Sequence, residues 1–317
     1  MGESQIVSEP GRNPMMGEFW TRDTASIDND LAEFRSRPTQ FWSEPRTEGI
    51  GIPNGPGAWA VVDYDLIVEM SKNPELFSSA QGITIIDLPI EFNDFFSSMI
   101  AMDDPRHARL RRLVAKGFTP RMLQSLEQSV VDQANVIIDA IEDRDEVDFV
   151  VDVAAQLPLA IVCDLMGVPR SQLQFVFDQT NIILGGSDPE YIPESDDIVT
   201  ALLGAGGALA ELMMDVAESK KGQDTDDLTT ILVNAELDGD RLSAADIASF
   251  FVLLVVAGNE TTRNAISWGL HYLTENPEQR AIWQANVDGV TPTAVEEIVR
   301  LASPVTCLLY TSDAADD

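Results

Sequence analysis

The chain has 317 residues, of which 44% are hydrophobic and 23% are charged, a balance typical of soluble globular proteins. Its 53 acidic and 20 basic residues give a formal net charge of −33, which argues against nucleic acids and anionic membranes as partners. Two cysteines and two histidines are too few for a disulfide scaffold, a clustered zinc site or a Ser-His-Asp triad, and they indicate a reducing cytoplasm.

The first residues of the chain are mostly polar. Residues 1–16 lack the apolar core of a signal peptide, and we expect them to be disordered. A turn-rich stretch at 53–57 precedes residues 59–62, whose aromatic and aliphatic side chains predict a short strand. Asp63 is placed to cap a helix that runs through Ser71 and stops near Pro74.

Helices dominate the rest of the chain. Apolar residues at three- and four-residue spacing between 126 and 141 predict a helix with one apolar face. A further helix can start at Pro158 and end at Gly167, and Cys163 within it reads as an inert core cysteine. The fold class that follows is mainly α with a small β region.

A long helix is predicted from Ser243, which forms a Ser-x-x-Asp start signal with Asp246. Its longest apolar run, 247–257, is shorter than the ~18 residues of a membrane span, so we expect a buried helix and no span. The helix should stop near Asn276, and a last helix should begin around Pro292.

One segment interrupts the apolar character of the long helix. The sequence Ala-Gly-Asn-Glu-Thr-Thr at 257–262 introduces a glycine, a carboxylate and two hydroxyls. Gly258 permits close approach to the backbone, Thr261 can donate to the carbonyl one turn earlier, and burying Glu260 is costly unless it is paired. The segment is either a site of proton movement or a packing kink with Glu260 in solvent, and periodicity does not separate the two.

The second anomaly is a basic cluster in an acidic protein. Six of the 20 basic residues fall within 106–121, and no acidic residue occurs between 105 and 126. This basic patch suits an acidic partner or a carboxylated cofactor, although a solvated helix face explains it equally well. Its members are Arg106, Arg109, Arg111, Arg112, Lys116 and Arg121.

Together with a Glu-x-x-Arg pair near the end of the chain, these motifs resemble, in this order, those of the cytochrome P450 family. The His-x-x-x-Arg motif of the family's C helix is matched by His107 and Arg111. The resemblance implies that both residues bind the propionates of haem b. The Glu-x-x-Arg motif of the family's K helix is matched by Glu297 and Arg300, which the resemblance makes a structural pair.

The family's I-helix motif, Ala/Gly-Gly-x-Asp/Glu-Thr-Thr/Ser, is matched by residues 257–262. The resemblance implies that Glu260 and Thr261 are an acid–alcohol pair that delivers protons during oxygen activation. It also places Ala257 and Gly258 beside the haem. It covers residues from about Trp20 to Thr306, and we expect a cytochrome P450 domain over 17–306.

Within the family, residues 253–266, 296–300 and 303–305 resemble the actinobacterial branch, which hydroxylates methyl-branched lipids and sterol side chains. An acidic ferredoxin and its reductase are the implied electron donors, with the basic patch as docking site. An apolar substrate suits the side chains between the B and C helices, although plain core packing would also explain them. The implied pocket residues are Ile83, Ile85, Phe92, Phe95, Phe96, Met99 and Ile100, with Val256 and Val305 near the haem face.

The sequence departs from the family at the haem ligand, because it contains no Phe-x-x-Gly-x-x-x-Cys-x-Gly loop. Cys307 lacks the flanking glycines and Cys163 lies in an apolar helix, so we expect neither to bind iron. Residues 307–317 leave the family pattern, which suggests a non-native tail and an inactive fragment. Two other readings stay open: a helical lipid-binding remnant without haem, and an unrelated helical interaction protein with coincidental motifs.

Overall fold

The computed structural model describes residues 9, 11–43, 57–80, 82–83, 99–185, 191, 198–237, 239–305 and 311–312. This described part is mainly helical, and the strands within it form three two-stranded antiparallel sheets. The chain divides into two compact units, Met1–His107 with Leu308–Asp317, and Ala108–Cys307. The predicted fold class, mainly α with a small β region, is therefore confirmed.

The elements follow in chain order. Those that begin before residue 120 are α1 (Gly17–Trp20), α2 (Thr24–Arg35), β1 (Gln40–Trp42), β2 (Ala58–Ala60), α3 (Tyr64–Lys72), β3 (Phe77–Ser78) and α4 (Arg106–Ala115). Helices α5 (Pro120–Ile141), α6 (Gln156–Met166), α7 (Leu173–Leu184), α8 (Ile198–Lys220) and α9 (Leu228–Asn234) follow. The last elements are β4 (Glu236–Leu237), β5 (Asp240–Arg241), α10 (Ala244–Glu275), α11 (Pro277–Ala285), α12 (Val287–Ala302) and β6 (Thr311–Ser312).

The first unit is held by a small aromatic core. Phe19, Phe34 and Trp42 are buried together with Met15, and β1 pairs with β2 beside them. Met15 lies in the stretch that the sequence predicted to be disordered, and Arg12 of the same stretch donates to Asp30 at 2.9 Å. The described part of the stretch therefore makes specific contacts, because Met15 lies in the aromatic core and the Arg12 guanidinium pairs with α2.

The strand and cap predicted for the first unit are present with small shifts. Strand β2 covers Ala58–Ala60, so it begins one residue before the predicted strand and ends two residues earlier. The side chain of Asp63 accepts from the backbone N–H of Leu66 at 3.0 Å and starts α3, as its position predicted.

The second unit is organised around α10, which packs against α6, α8 and α12. Its N-terminus carries the predicted capping box, in which Asp246 N donates to Ser243 Oγ at 3.1 Å and Ser243 N donates to Asp246 Oδ2 at 2.9 Å. The helix ends at Asn276, before Pro277, as predicted. It continues unbroken through 257–262, however, because the residues there cost little in helix propensity, with Gly258 the most unfavourable at about 1 kcal/mol.

Two other helices lie where the sequence predicted them, but their first residues differ from the prediction. Helix α6 ends at Gly167 in a left-handed conformation with φ 68°, as expected for a C-terminal glycine, but it begins at Gln156 and not at Pro158. The prediction that α12 begins near Pro292 was wrong. Asn286 accepts from Gly289 N at 3.2 Å and starts the helix at Val287, which leaves Pro292 inside it.

Among the described residues, two helices are long and apolar enough to cross a membrane, α8 (Ile198–Lys220) and α10 (Ala244–Glu275). The core helices of soluble proteins can have the same length and composition, and α10 contributes several fully buried side chains to the second unit. Length and composition therefore do not establish a span.

Candidate functional site

The centre of the candidate site is the turn of α10 that carries the acid and the alcohol. Thr261 Oγ1 donates to the carbonyl oxygen of Ala257 at 2.7 Å, one turn earlier on the same face. Ala257 is exposed and Thr261 is half-buried, so this face of α10 is open in the second unit. The hydroxyl oxygen of Thr261 retains lone pairs that can accept a hydrogen bond from a neighbouring donor.

Glu260 does not lie unpaired in the interior. Its carboxylate forms an ion pair with Arg263 on the next turn, and the two side chains are 26% and 15% exposed. Arg263 also donates to Asn181 Oδ1 on α7 at 3.4 Å. The pair compensates the cost of partly burying the carboxylate, so Glu260 is neither an unpaired interior charge nor a fully solvated one.

Arg263 and Asn181 are site residues that the sequence analysis missed. A signal for Arg263 was present, because Glu260 and Arg263 repeat the Glu-x-x-Arg spacing that was noted at Glu297 and Arg300. Asn181 had no comparable signal, since only the packing of α7 on α10 brings it to the guanidinium.

Gly258 lies on the side of α10 that packs against α6. A Cβ added at this position would lie 3.4 Å from Val162 Cγ2, which is an ordinary van der Waals contact. Its neighbour Asn259 is fully buried. The predicted roles of Ala257 and Gly258 beside a cofactor stay predictions, and the structure shows that Ala257 is exposed.

Helix α4 carries the predicted propionate ligands. His107 and Arg111 are four residues apart on this helix, so both project from the same face. Asp104 Oδ1 lies 3.8 Å from His107 Nδ1. Imidazole and guanidinium N–H groups are donors of the kind that bind carboxylates, so the donor set on α4 fits the propionates of haem.

Four of the six residues of the basic patch lie on α4. The side chains of Arg106, Arg109, Arg111 and Arg112 are exposed on this helix. Lys116 lies just beyond it and donates to the backbone oxygen of Glu236 at 2.7 Å, so this ammonium also has a structural role. Arg121 belongs to α5, and its side chain lies outside the described part of the structure.

The predicted pocket residues are only partly described. Ile83 and Met99 are half-buried, and Ile100 is exposed in a short 3-10 helix, Met99–Ala101. Val256 is half-buried on α10, and Val305 is exposed after α12. Ile85, Phe92, Phe95 and Phe96 lie outside the described residues. The substrate role of this set stays a prediction.

Glu297 and Arg300 form the expected pair on α12. Arg300 donates to both carboxylate oxygens of Glu297, at 2.7 and 2.8 Å, and these hydrogen bonds hold the pKa of Glu297 below its ordinary value. Glu297 also borders a groove of about 550 Å³ between the end of α10, α11 and α12. In this groove the Tyr272 hydroxyl donates to the backbone oxygen of Leu301 at 3.2 Å.

Comparison with known proteins places this arrangement among its relatives. The family model described as Cytochrome P450 matches residues 205–301, which include all of α10 and nearly all of α12. The methyl-branched lipid omega-hydroxylase of Mycobacterium tuberculosis (strain ATCC 25618 / H37Rv) is 44% identical over 293 residues, covering 91% of this chain and 67% of the relative. The steroid C26-monooxygenase of Rhodococcus jostii (strain RHA1) is 34% identical, covering 87% of this chain and 57% of the relative.

Solved structures agree with the sequence comparison. A Mycobacterium marinum cytochrome P450 in complex with pseudoionone superimposes with a TM-score of 0.85 at 38% identity, covering 93% of this chain and 71% of the other. A P450 from Chondromyces apiculatus superimposes with a TM-score of 0.72 at 27% identity, covering 92% and 69%. Since the acid–alcohol turn, the α4 donors and the Glu-x-x-Arg pair lie in a chain that spans 67% of a relative at 44% identity, the chain belongs to the cytochrome P450 family of monooxygenases.

Proposed function

We propose that the enzyme carrying this chain hydroxylates an apolar lipid, either a methyl-branched fatty chain or a sterol side chain, in the cytoplasm. The observation that supports this proposal is the turn of α10 at residues 257–262. There the paired carboxylate of Glu260 directly precedes the hydroxyl of Thr261 on an open helix face. Relatives whose names specify methyl-branched lipids and steroids support this substrate class. Because the chain spans 67% of the first of these relatives, the proposal concerns the whole enzyme.

Haem b, when bound, would supply the activation of dioxygen, one atom of which enters the substrate. In the proposal, His107 and Arg111 hold its propionates through charge-assisted hydrogen bonds from α4. Ala257 is exposed and has only a methyl side chain, so it would leave room for the cofactor beside α10.

The proton steps belong to Glu260 and Thr261. The Thr261 hydroxyl donates to Ala257 O, which fixes the direction of its O–H bond and turns its lone pairs away from that carbonyl. Glu260 leaves its pair with Arg263 when it takes up a proton, and it passes this proton to Thr261 Oγ1, while the Thr261 hydroxyl releases Ala257 O and gives its own hydrogen to the reacting oxygen. Arg263 holds the carboxylate close to the helix between turnovers.

The thiolate ligand is not assigned to either cysteine of this chain. Burial raises the pKa of Cys163 to about 12, with a smaller contribution from the Asp164 carboxylate, so this sulfur stays a thiol in the packed interior. Cys307 lies outside the described residues and lacks the flanking glycines of the family's ligand loop. The proposed activity therefore requires a cysteine ligand for the haem iron other than Cys163 and Cys307.

The electron donor in the proposal is an acidic ferredoxin with its reductase. The exposed arginines of α4 supply a positive surface on a chain whose formal net charge is −33, and such a local patch favours an acidic partner. Raising the ionic strength should therefore slow electron delivery more than substrate binding.

The test is product analysis with the whole haem-containing enzyme, ferredoxin, reductase and reduced cofactor. A methyl-branched fatty acid, a straight-chain fatty acid of equal carbon number and a sterol are offered separately, and products are identified by mass spectrometry. We expect hydroxylation of the methyl-branched acid or of the sterol side chain, with less from the straight chain. A haem-loaded enzyme that hydroxylates none of them would contradict the proposal.

A further inference from the structure

Asn259 is the polar side chain in the centre of α10 that the acid–alcohol turn leaves unexplained. It is fully buried, and neither its amide nitrogen nor its amide oxygen has a hydrogen-bond partner among the described residues of the protein. A primary amide offers two donors and two acceptor positions. Buried polar groups in folded proteins are nearly always satisfied by protein or by ordered water, so this amide calls for a partner.

The helix geometry places Asn259 relative to the acid and the alcohol. Successive residues of an α-helix are rotated by about 100°, so Asn259 lies almost opposite Ala257 and Thr261, with Glu260 between the two sides. The exposure agrees, because Ala257 is open to the surface and Asn259 is fully buried. Glu260 therefore has the Thr261 hydroxyl on one flank and the Asn259 amide on the other.

Further polar groups lie on the Asn259 side of the helix. Arg263 follows Asn259 by four residues and so shares its face. The guanidinium of Arg263 pairs with Glu260 and donates to Asn181 Oδ1 at 3.4 Å, and Asn181 is only 6% exposed. A water molecule needs between two and four polar partners to occupy an interior position, and these groups together can supply them.

We propose that Asn259 binds an ordered water on the inner side of α10, and that this water recharges Glu260 with protons. The inference rests on the proposed function. In each cycle Glu260 gives its proton to Thr261 Oγ1 and takes one from the water, which regains a proton from solvent and ends unchanged. Asn259 itself exchanges no proton and is a positioning residue, because its amide holds the water beside the carboxylate.

The experiment compares Asn259→Leu with the unmodified whole enzyme. Leucine has a similar volume but no hydrogen-bonding atoms, so it excludes the water. We expect a lower thermal midpoint, a drop of about threefold or more in product formed per reducing equivalent, and an altered solvent deuterium isotope effect on turnover. Asn259→Ser keeps a polar group with room for the water and should retain most of the coupling.

Ser249→Ala is the matched control. The hydroxyl of Ser249 is also buried in α10 without a partner among the described residues, but it lies well before the acid–alcohol turn. This control should leave the coupling and the isotope effect unchanged. If Asn259→Leu does not accumulate as folded protein, Asn259→Ala and Asn259→Ser are compared instead, and the serine variant should be the better coupled.

A higher thermal midpoint in Asn259→Leu would overturn the inference, because it would show that the buried amide binds no water and only lowers the stability of the fold. Unchanged coupling and isotope effect in that variant would overturn it as well. Thr261→Ala is measured alongside. If Thr261→Ala uncouples and Asn259→Leu does not, the inference about Asn259 fails alone. If neither variant uncouples, the proton role proposed for the α10 turn fails.

Discussion

The guanidinium of Arg263 donates to the side-chain oxygen of Asn181 at 3.4 Å and ties α10 to α7 directly beside the carboxylate of Glu260. Helix α7 therefore contributes to the acid–alcohol turn although none of its residues belongs to a family motif. The contact also makes Arg263 part of the packing between two helices.

This relationship predicts a difference between two Glu–Arg pairs of identical spacing. Arg263→Leu leaves the partly buried Glu260 without its partner, so the free energy of unfolding should fall by about 2 kcal/mol. Arg300→Leu removes the same kind of pair on the exposed face of α12, where the two side chains are 66% and 55% exposed, and should cause no measurable loss. Urea unfolding of the two variants checks the difference, and equal losses would contradict it.

Thr261→Ala should uncouple the whole enzyme. The variant removes the hydroxyl that receives a proton in the proposal, while a small side chain keeps the helix intact. Reduced cofactor should then be consumed with several-fold less hydroxylated product, measured as product against cofactor oxidised. Thr261→Ser retains the hydroxyl and should stay close to the unmodified enzyme. Full coupling in the alanine variant would remove Thr261 from the proton path.

The double variant His107→Ala with Arg111→Ala should retain haem less well. Both changes remove donors from one face of α4, so the propionates would lose two charge-assisted hydrogen bonds. The measurement is the rate of haem transfer from the whole enzyme to apomyoglobin. Arg106→Ala with Arg112→Ala removes two basic residues from the same helix and should have a smaller effect, and equal rates would contradict the assignment.

Ser243→Ala should destabilise the chain by about 1 kcal/mol, because it removes the hydroxyl that accepts from the N–H of Asp246 at the start of α10. Thr274→Ala is a suitable comparison on the same helix. Its hydroxyl only donates back to Leu270 O within the helix, and alanine has the higher helix propensity. The midpoint of thermal unfolding should therefore be lower in Ser243→Ala and unchanged in Thr274→Ala.

The lowered pKa of Asp227 predicts that the stability of the fold decreases at acid pH. Burial acts to raise its pKa, but hydrogen bonds from Lys220, Thr225 and Thr230 outweigh burial and hold the pKa below the ordinary 3.8. Because the pKa is lower in the folded state, the stabilisation is present above the unfolded-state pKa and is lost as the pH falls through the folded-state pKa. Asp227→Asn should lower the midpoint at pH 7 and flatten the loss below about pH 4. The exposed Asp224→Asn serves as control.

Local signals predicted the start or the end of three helices at which one residue decides the boundary. Asp63 and Ser243 were recognisable as caps and Gly167 as a helix end, since the bonds they make involve residues close in the sequence. The start of α12 was misplaced because Pro292 is a strong signal, whereas the Asn286 cap that begins the helix is weaker.

The acid–alcohol turn shows the limit of the same approach. The residue types at 257–262 predicted that Thr261 can donate to the carbonyl one turn earlier, and this bond is present. The partner of Glu260 was within reach of a spacing argument, but the contact of Arg263 with Asn181 depends on the packing of α7 against α10. No local pattern encodes contacts between residues so distant in the sequence.

The burial of Cys163 gives α6 an internal reporter of opening motions. A thiol that is 1% exposed and has a pKa of about 12 reacts with an alkylating reagent only when the helix moves away from its neighbours. The labelling rate of the peptide that contains Cys163 therefore measures how often the helical core opens. Any molecule that binds and stabilises this core should slow the labelling, and the logarithm of the rate should fall in proportion to the stability that it adds.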